Sequence, residues 1–215
     1  MKKSEDFFER FPAGLRPWLQ VWVSPDPASR QILHTRSPSD LLWPIPLVGL
    51  LSALTWYFQP NLAGTSPALT TAVFWFLGST LLGGVGAWVW STLFFRVGRL
   101  NGGQGSRQRV RVGVLFNIAL GCASWPIAFV ITQLAIRSVP LIGMVWWAFF
   151  AYLVFVQLKV MANAHSMDLR MSVTTAAMVW AIIGIPILGV VCWAINQQPV
   201  QQVILNWLNS TIPLP

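Results

Sequence analysis

The sequence predicts an all-α fold: a polytopic membrane protein, a bundle of about five transmembrane helices with amphipathic interfacial flanks. Three observations predict it. Only 9% of the 215 residues are charged and 55% are hydrophobic, with mean hydropathy +0.60. A soluble domain carries about 25% charged residues, so this chain cannot cover a water-facing surface and part of its solvent must be lipid. Thirteen Trp fit the membrane–water interface, where indole rings are favoured. Finally, apolar runs of membrane-crossing length alternate with short segments that hold the charge.

The first expected span is Leu41 to Phe58, near the minimum length, with Trp43 at one end and Trp56 and Tyr57 at the other as interface anchors. Pro44 and Pro46 fall in its first turn, where a missing N–H costs least. The second, Pro67 to Phe95, is longer than one straight crossing needs. Ser79, Gly83, Ala87 and Ser91 recur every four residues along it and form a small-residue ridge of the kind that lets helix backbones approach in lipid. The third span is Val112 to Leu134, with Asn117 and Pro126 inside it; the fourth is Pro140 to Leu158; the fifth is Ser172 to Ala194. Asn117 is expected to hydrogen-bond to a neighbouring helix brought close by Gly113 and Gly121. Gln133 and Gln157, nearer span ends, are expected to snorkel or cap.

Orientation follows from charge. Basic residues precede the first span, fill Arg96 to Arg111 and flank the turn after the fourth span; only Arg137 lies on the other side, so 13 of the 14 share one face. The positive-inside rule makes that face cytoplasmic and, with five spans, puts the C-terminus outside. Three regions result: a cytoplasmic segment 1–40, a membrane domain 41–195 and an extracytoplasmic amphipathic tail 196–215. Leu15, Trp18, Leu19 and Trp22 have helical spacing after which an interfacial helix is expected, as do Val200, Val203, Ile204, Trp207 and Leu208 in the tail; packing of either flank against the bundle is the competing expectation. No cleavable signal peptide is expected.

The net charge of +8 does not point to nucleic acid, because the cations sit between apolar runs where they set orientation and meet anionic headgroups. Cys122 and Cys192 lie in apolar runs and, with only His34 and His165, offer no zinc spacing. Gly102, Gly103 and Gly105 suggest a phosphate loop, but no Lys follows them and a membrane helix precedes them. A turn needing positive φ is the simpler expectation. His165 and Asp168, one turn apart, read as a solvated or headgroup-facing loop. None of the six acidic residues falls within a span, whereas ion-coupled transporters usually need intramembrane ionisable groups. No catalytic constellation is visible, so neither an enzyme nor a cofactor or metal is expected.

Three stretches carry a resemblance. They are Trp22-Val-Ser-Pro25 with Arg30-Gln-Ile-Leu33; Gly102-Gly-Gln-Gly-Ser106 followed by Arg109, Arg111 and Pro126; and the fourth span leading to His165-Ser166 and then the fifth. In this order on a five-span, N-inside layout, the chain resembles the Yip family of Ypt/Rab-interacting membrane proteins, as a bacterial-type member, from about Trp18 to Val191. The resemblance implies an integral membrane organiser or adaptor that binds membrane or cytoplasmic proteins and sits in a bacterial inner membrane; the eukaryotic members are linked to small GTPases and vesicle traffic. The alternatives are a passive channel or lipid-handling protein, and an accessory subunit of a larger membrane complex. Homo-oligomerisation through the ridge is open. The candidate surface for a partner or lipid headgroup is Arg96, Arg99, Gly102, Gly103, Gly105, Arg107, Arg109 and Arg111.

Overall fold

The computed structural model describes residues 11–12, 15–58, 69–138 and 140–195, side chains excepted at 55–58, 128–143, 146 and 190–195. The tail helix expected at 200–208, the anchors Trp56 and Tyr57, and the side chains of Gln133 and Arg137 lie outside these. Within them the chain is all-helical. In order come α1 (Arg16–Gln20), α2 (Pro25–Thr35), a 3-10 turn (Ser39–Leu41), α3 (Pro44–Phe58), α4 (Leu69–Leu100), α5 (Arg107–Ser138), α6 (Pro140–His165) and α7 (Leu169–Ile195). Four helices are long and apolar enough to cross a membrane, within α4, α5, α6 and α7; the segment expected as the first span is a shorter apolar helix. The chain divides into two compact units at Thr175 and Ala176. The described residues of the second are the rest of α7, with Pro186 in the helix interior.

The N-terminal segment is more structured than its sequence suggests. Pro17 sits in the first turn of α1, where its fixed φ suits a helix start. Trp18 packs on Phe116, ring centroids 4.7 Å apart, and edge-on to Trp43 at 5.7 Å, while Leu15 and Leu19 remain exposed. The unforeseen helix is α2. Pro25 starts it and Asp26 lies in its first turn, a charge placed as the helix dipole favours, with His34 in its last turn. Ala28, Ser29, Ile32 and Leu33 form its buried face. The following 3-10 turn is held by the Ser37 N–H, which donates to the Asp40 carboxylate at 2.8 Å. That bond, the Ser37 hydroxyl and the Arg36 charge hold the Asp40 carboxyl below the usual carboxylate range.

The core of the first unit is shared between this segment and the membrane helices. Val21, Ile32, Leu33 and Leu41 cluster with Ala87 of α4, Val112, Leu115, Phe116 and Leu120 of α5, and Val156, Val160 and Ala164 of α6. Helix α5 is central: 56% of its most apolar window is buried, against 6% for α4. Phe74, Leu81, Leu82 and Trp88 of α4 stand exposed, as lipid-facing side chains do when the solvent is hydrocarbon.

The second and third expected spans were bounded by hydropathy, at Phe95 and Val112. The helices run further, to Leu100 and from Arg107. The connection expected at Arg96 to Arg111 therefore shrinks to residues 101–106, with two of its arginines on the last turns of α4 and three on the first turns of α5.

Candidate functional site

The short connection is built by the rules of helix termination. Helix α4 ends in a Schellman motif: the Gly103 N–H donates to the Gly98 carbonyl at 2.8 Å and the Gly102 N–H to the Arg99 carbonyl at 3.2 Å. Gly102 takes φ +83°, the left-handed position that favours glycine. Helix α6 ends the same way, with Met167 N–H on the Ala162 carbonyl at 3.0 Å and Ser166 N–H on the Asn163 carbonyl at 3.3 Å. Here the left-handed residue is Ser166, φ 54°.

The two helix ends interlock. The orphan carbonyl of His165 accepts the N–H groups of Gln104, at 2.8 Å, and Gly105, at 3.0 Å. Such close backbone approach requires glycine: a Cβ on Gly105 would stand 2.1 Å from the Ala164 carbonyl oxygen. The His165 ring turns inward and is 1% exposed. It lies against Gly98, where a Cβ would come within 2.2 Å of Cε1, and against Gly103. The Phe94 carbonyl faces the ring, but neither ring nitrogen reaches hydrogen-bond geometry among the described residues. The reading of His165 as solvated is therefore overturned; the glycine loop wraps its imidazole. Asp168 does stay exposed and caps α7, accepting the Met171 N–H at 2.7 Å. Asn101 ties the loop to the first unit's last residue, its Nδ2 donating to Thr175 Oγ1 at 2.9 Å.

A second group of contacts fixes α2 to the same end. Asn163 donates from Nδ2 to Ser29 Oγ at 2.7 Å and Asp26 Oδ1 at 3.2 Å. Lys159 forms an ion pair with Asp26 at 3.4 Å, and the Tyr152 hydroxyl donates to the Trp22 carbonyl. Across from these, Arg109 Nη2 lies 2.7 Å from His34 Nε2. The three basic segments, widely spaced in sequence, thus meet at one end of the first unit.

The candidate surface divides into parts. Arg96, Arg99 and Arg107 are exposed, Arg109 and Arg111 half-buried, Gly102 open, and Gly103 and Gly105 buried on His165. On the ridge, Ala87 and Ser91 are buried, and Gly83 faces Ile45 and Val48 of α3 at ordinary contact distance. A closer approach of α3 to α4 than at Gly83 lies at Gly49, which sequence reasoning passed over: a Cβ there would meet Thr80 Oγ1 at 2.0 Å and the Phe76 carbonyl at 2.6 Å. Asn117 Nδ2 donates to the Gln157 carbonyl at 3.2 Å. Of its two flanking glycines, Gly113 touches Ala164 while Gly121 has open space beside it.

Long apolar helices with lipid-facing side chains, capped at one end by a polar and basic assembly, define an integral membrane protein of the polytopic α-helical class. The Yip1 domain matches residues 19–208, and the chain belongs to that family. Comparison with curated proteins and with solved structures gives no match.

Proposed function

We propose that the protein is a membrane organiser or adaptor whose working face is the end where α2, the 101–106 loop and the α6–α7 turn meet. This end faces the cytoplasm of a bacterial inner membrane, and it recruits other membrane or cytoplasmic proteins. The observation that carries the reading is the interlock of the two helix ends around His165, which holds a short loop rigidly and leaves Arg96, Arg99 and Arg107 exposed around it. A loop serving only as a tether needs no such fixation, whereas preorganised charged groups lower the ordering cost of binding.

The test preserves charge. Arg96, Arg99 and Arg107 are replaced together by Lys, and insertion and thermal stability are checked. Partners are then captured through a photo-crosslinking residue at Gln104. Recognition through bidentate guanidinium contacts predicts loss of the captured species, because Lys offers a point charge only. Unaltered capture would refute recognition by these arginines.

A further inference from the structure

Between the C-terminal end of α2 and the first turn of α5 lies a cavity of about 290 Å³, lined by His34, Arg36, Ser106, Gln108 and Arg109 over an apolar floor of Leu33 and Val112. At about 30 Å³ per water molecule it holds roughly ten, ample for a tetrahedral oxyanion. Its electrostatics are one-sided. Arginine has no acceptor, so in the 2.7 Å contact from Arg109 Nη2 the His34 Nε2 is the acceptor. That hydrogen bond orients the guanidinium without neutralising it. Arg109 Nε is buried and has no hydrogen-bond partner among the described residues. Arg36 adds a second cation. Among the described residues no carboxylate lines the cavity; Asp40, held by Ser37, interacts with Arg36 through its charge. Ser106 Oγ already accepts the Arg109 N–H at 3.2 Å and keeps its own O–H to donate outward.

We propose that this cavity binds a phosphate-type anion, held by Arg36 and Arg109 and completed by His34, Ser106 and Gln108. The chemistry is that of guanidinium–phosphate recognition: fixed forks of N–H donors matched to tetrahedral oxygens. The anion takes the bond that Arg109 now spends on His34. The interlock at His165 fixes the start of α5, so the two walls are preformed. The inference rests on reading this end as the recognition face. Phosphate free in solution and the phosphomonoester headgroup of a lipid offer the same chemistry.

The full-length protein is purified in maltoside detergent. Binding of inorganic phosphate is read by ³¹P line broadening, and retention of phosphatidic acid against phosphatidylcholine by native mass spectrometry. Arg36→Gln with Arg109→Gln should weaken binding by at least about tenfold, the loss of charge-assisted hydrogen bonds. Arg30→Gln with Arg170→Gln removes equal charge at exposed positions outside the cavity and should change it by less than about twofold. Selective retention of phosphatidic acid assigns the site to a lipid headgroup; phosphate binding without that selectivity assigns it to the soluble ion. Absence of both, or equal losses in the two double variants, overturns the proposal. If Arg109→Gln does not fold, Arg36→Gln alone, on an exposed side chain, must show the loss. Crosslinking at Gln104 that persists when neither phosphate species binds would reject the anion site and leave the adaptor reading standing.

Discussion

Gly105, Ser166 and Gly121 are small residues at helix ends and faces where the structure sets three different energies. At Gly105 the would-be Cβ meets a carbonyl oxygen of another helix, and no side chain can swing aside. Gly105→Ala must push the loop off His165 and lose its two backbone hydrogen bonds, a cost of about 1–3 kcal/mol by analogy with overpacking. Gly121→Ala meets open space within α5 and should be neutral or stabilising by up to about 1 kcal/mol. Ser166 sits at a left-handed helix end where a side chain is strained, so Ser166→Gly should stabilise by about 1 kcal/mol. Thermal unfolding in detergent should therefore rank Ser166→Gly above wild type and Gly105→Ala well below Gly121→Ala. Equal melting of the last two would show that the interlock contributes nothing. The imidazole at its centre illustrates why such a site is hard to see in advance. His165 and Gly105 are sixty residues apart, and a polar residue beside an Asp at a span end has the composition of a solvated loop.

Among the elements, the pairing of α3 with α4 carries a sharper prediction than the ridge alone. Gly49→Leu places a branched chain against the α4 backbone at Phe76 and Thr80, whereas Gly83→Leu enters a contact that already has ordinary spacing. Both should insert, since Leu favours the membrane, but Gly49→Leu should lose clearly more thermal stability. The reverse order would place the decisive approach at Gly83. Spacing by four made the α4 ridge legible in the sequence; Gly49 stayed hidden because close approach depends on what the partner helix presents. Apolar length likewise located the membrane helices but misplaced their ends, since hydropathy falls at Arg96 while the backbone continues to the glycine that stops it, Gly102. Helix α2 escaped for a different reason. Pro25, Asp26 and Pro27 have turn composition, and the eleven-residue helix they start owes its stability to burial on α5 and α6 rather than to its own propensity.

On the scale of the whole molecule, the orientation expected from charge meets an apparent obstacle in the shortness of α3, whose 15 residues span about 22 Å at 1.5 Å per residue, less than a hydrocarbon core of about 30 Å. The contacts of the first unit nevertheless run it alongside α4. His34 on α2 bonds to Arg109 at the start of α5, so α3 begins at the end of the molecule where α4 finishes. Its residues then pair antiparallel along α4, Ile45 and Val48 beside Gly83, Gly49 beside Thr80 and Phe76, and Leu54 in the same cavity wall as Ala72 and Val73. Helix α3 thus carries the chain toward the start of α4, away from the basic end; taken with the 13-to-1 distribution of Lys and Arg, this supports our proposal of five crossings with a cytoplasmic N-terminus. In a background with Cys122 and Cys192 replaced by Ala, single cysteines at the exposed positions Ser39, Gln104 and Ser166 should resist an impermeant maleimide in intact cells whose outer barrier has been opened, and react in inverted inner-membrane vesicles. A cysteine added after Pro215 should show the opposite pattern. If the added cysteine labels with the other three, the number of crossings is even. If Ser39 and Gln104 label from opposite sides, the contact between His34 and Arg109 does not form in the membrane.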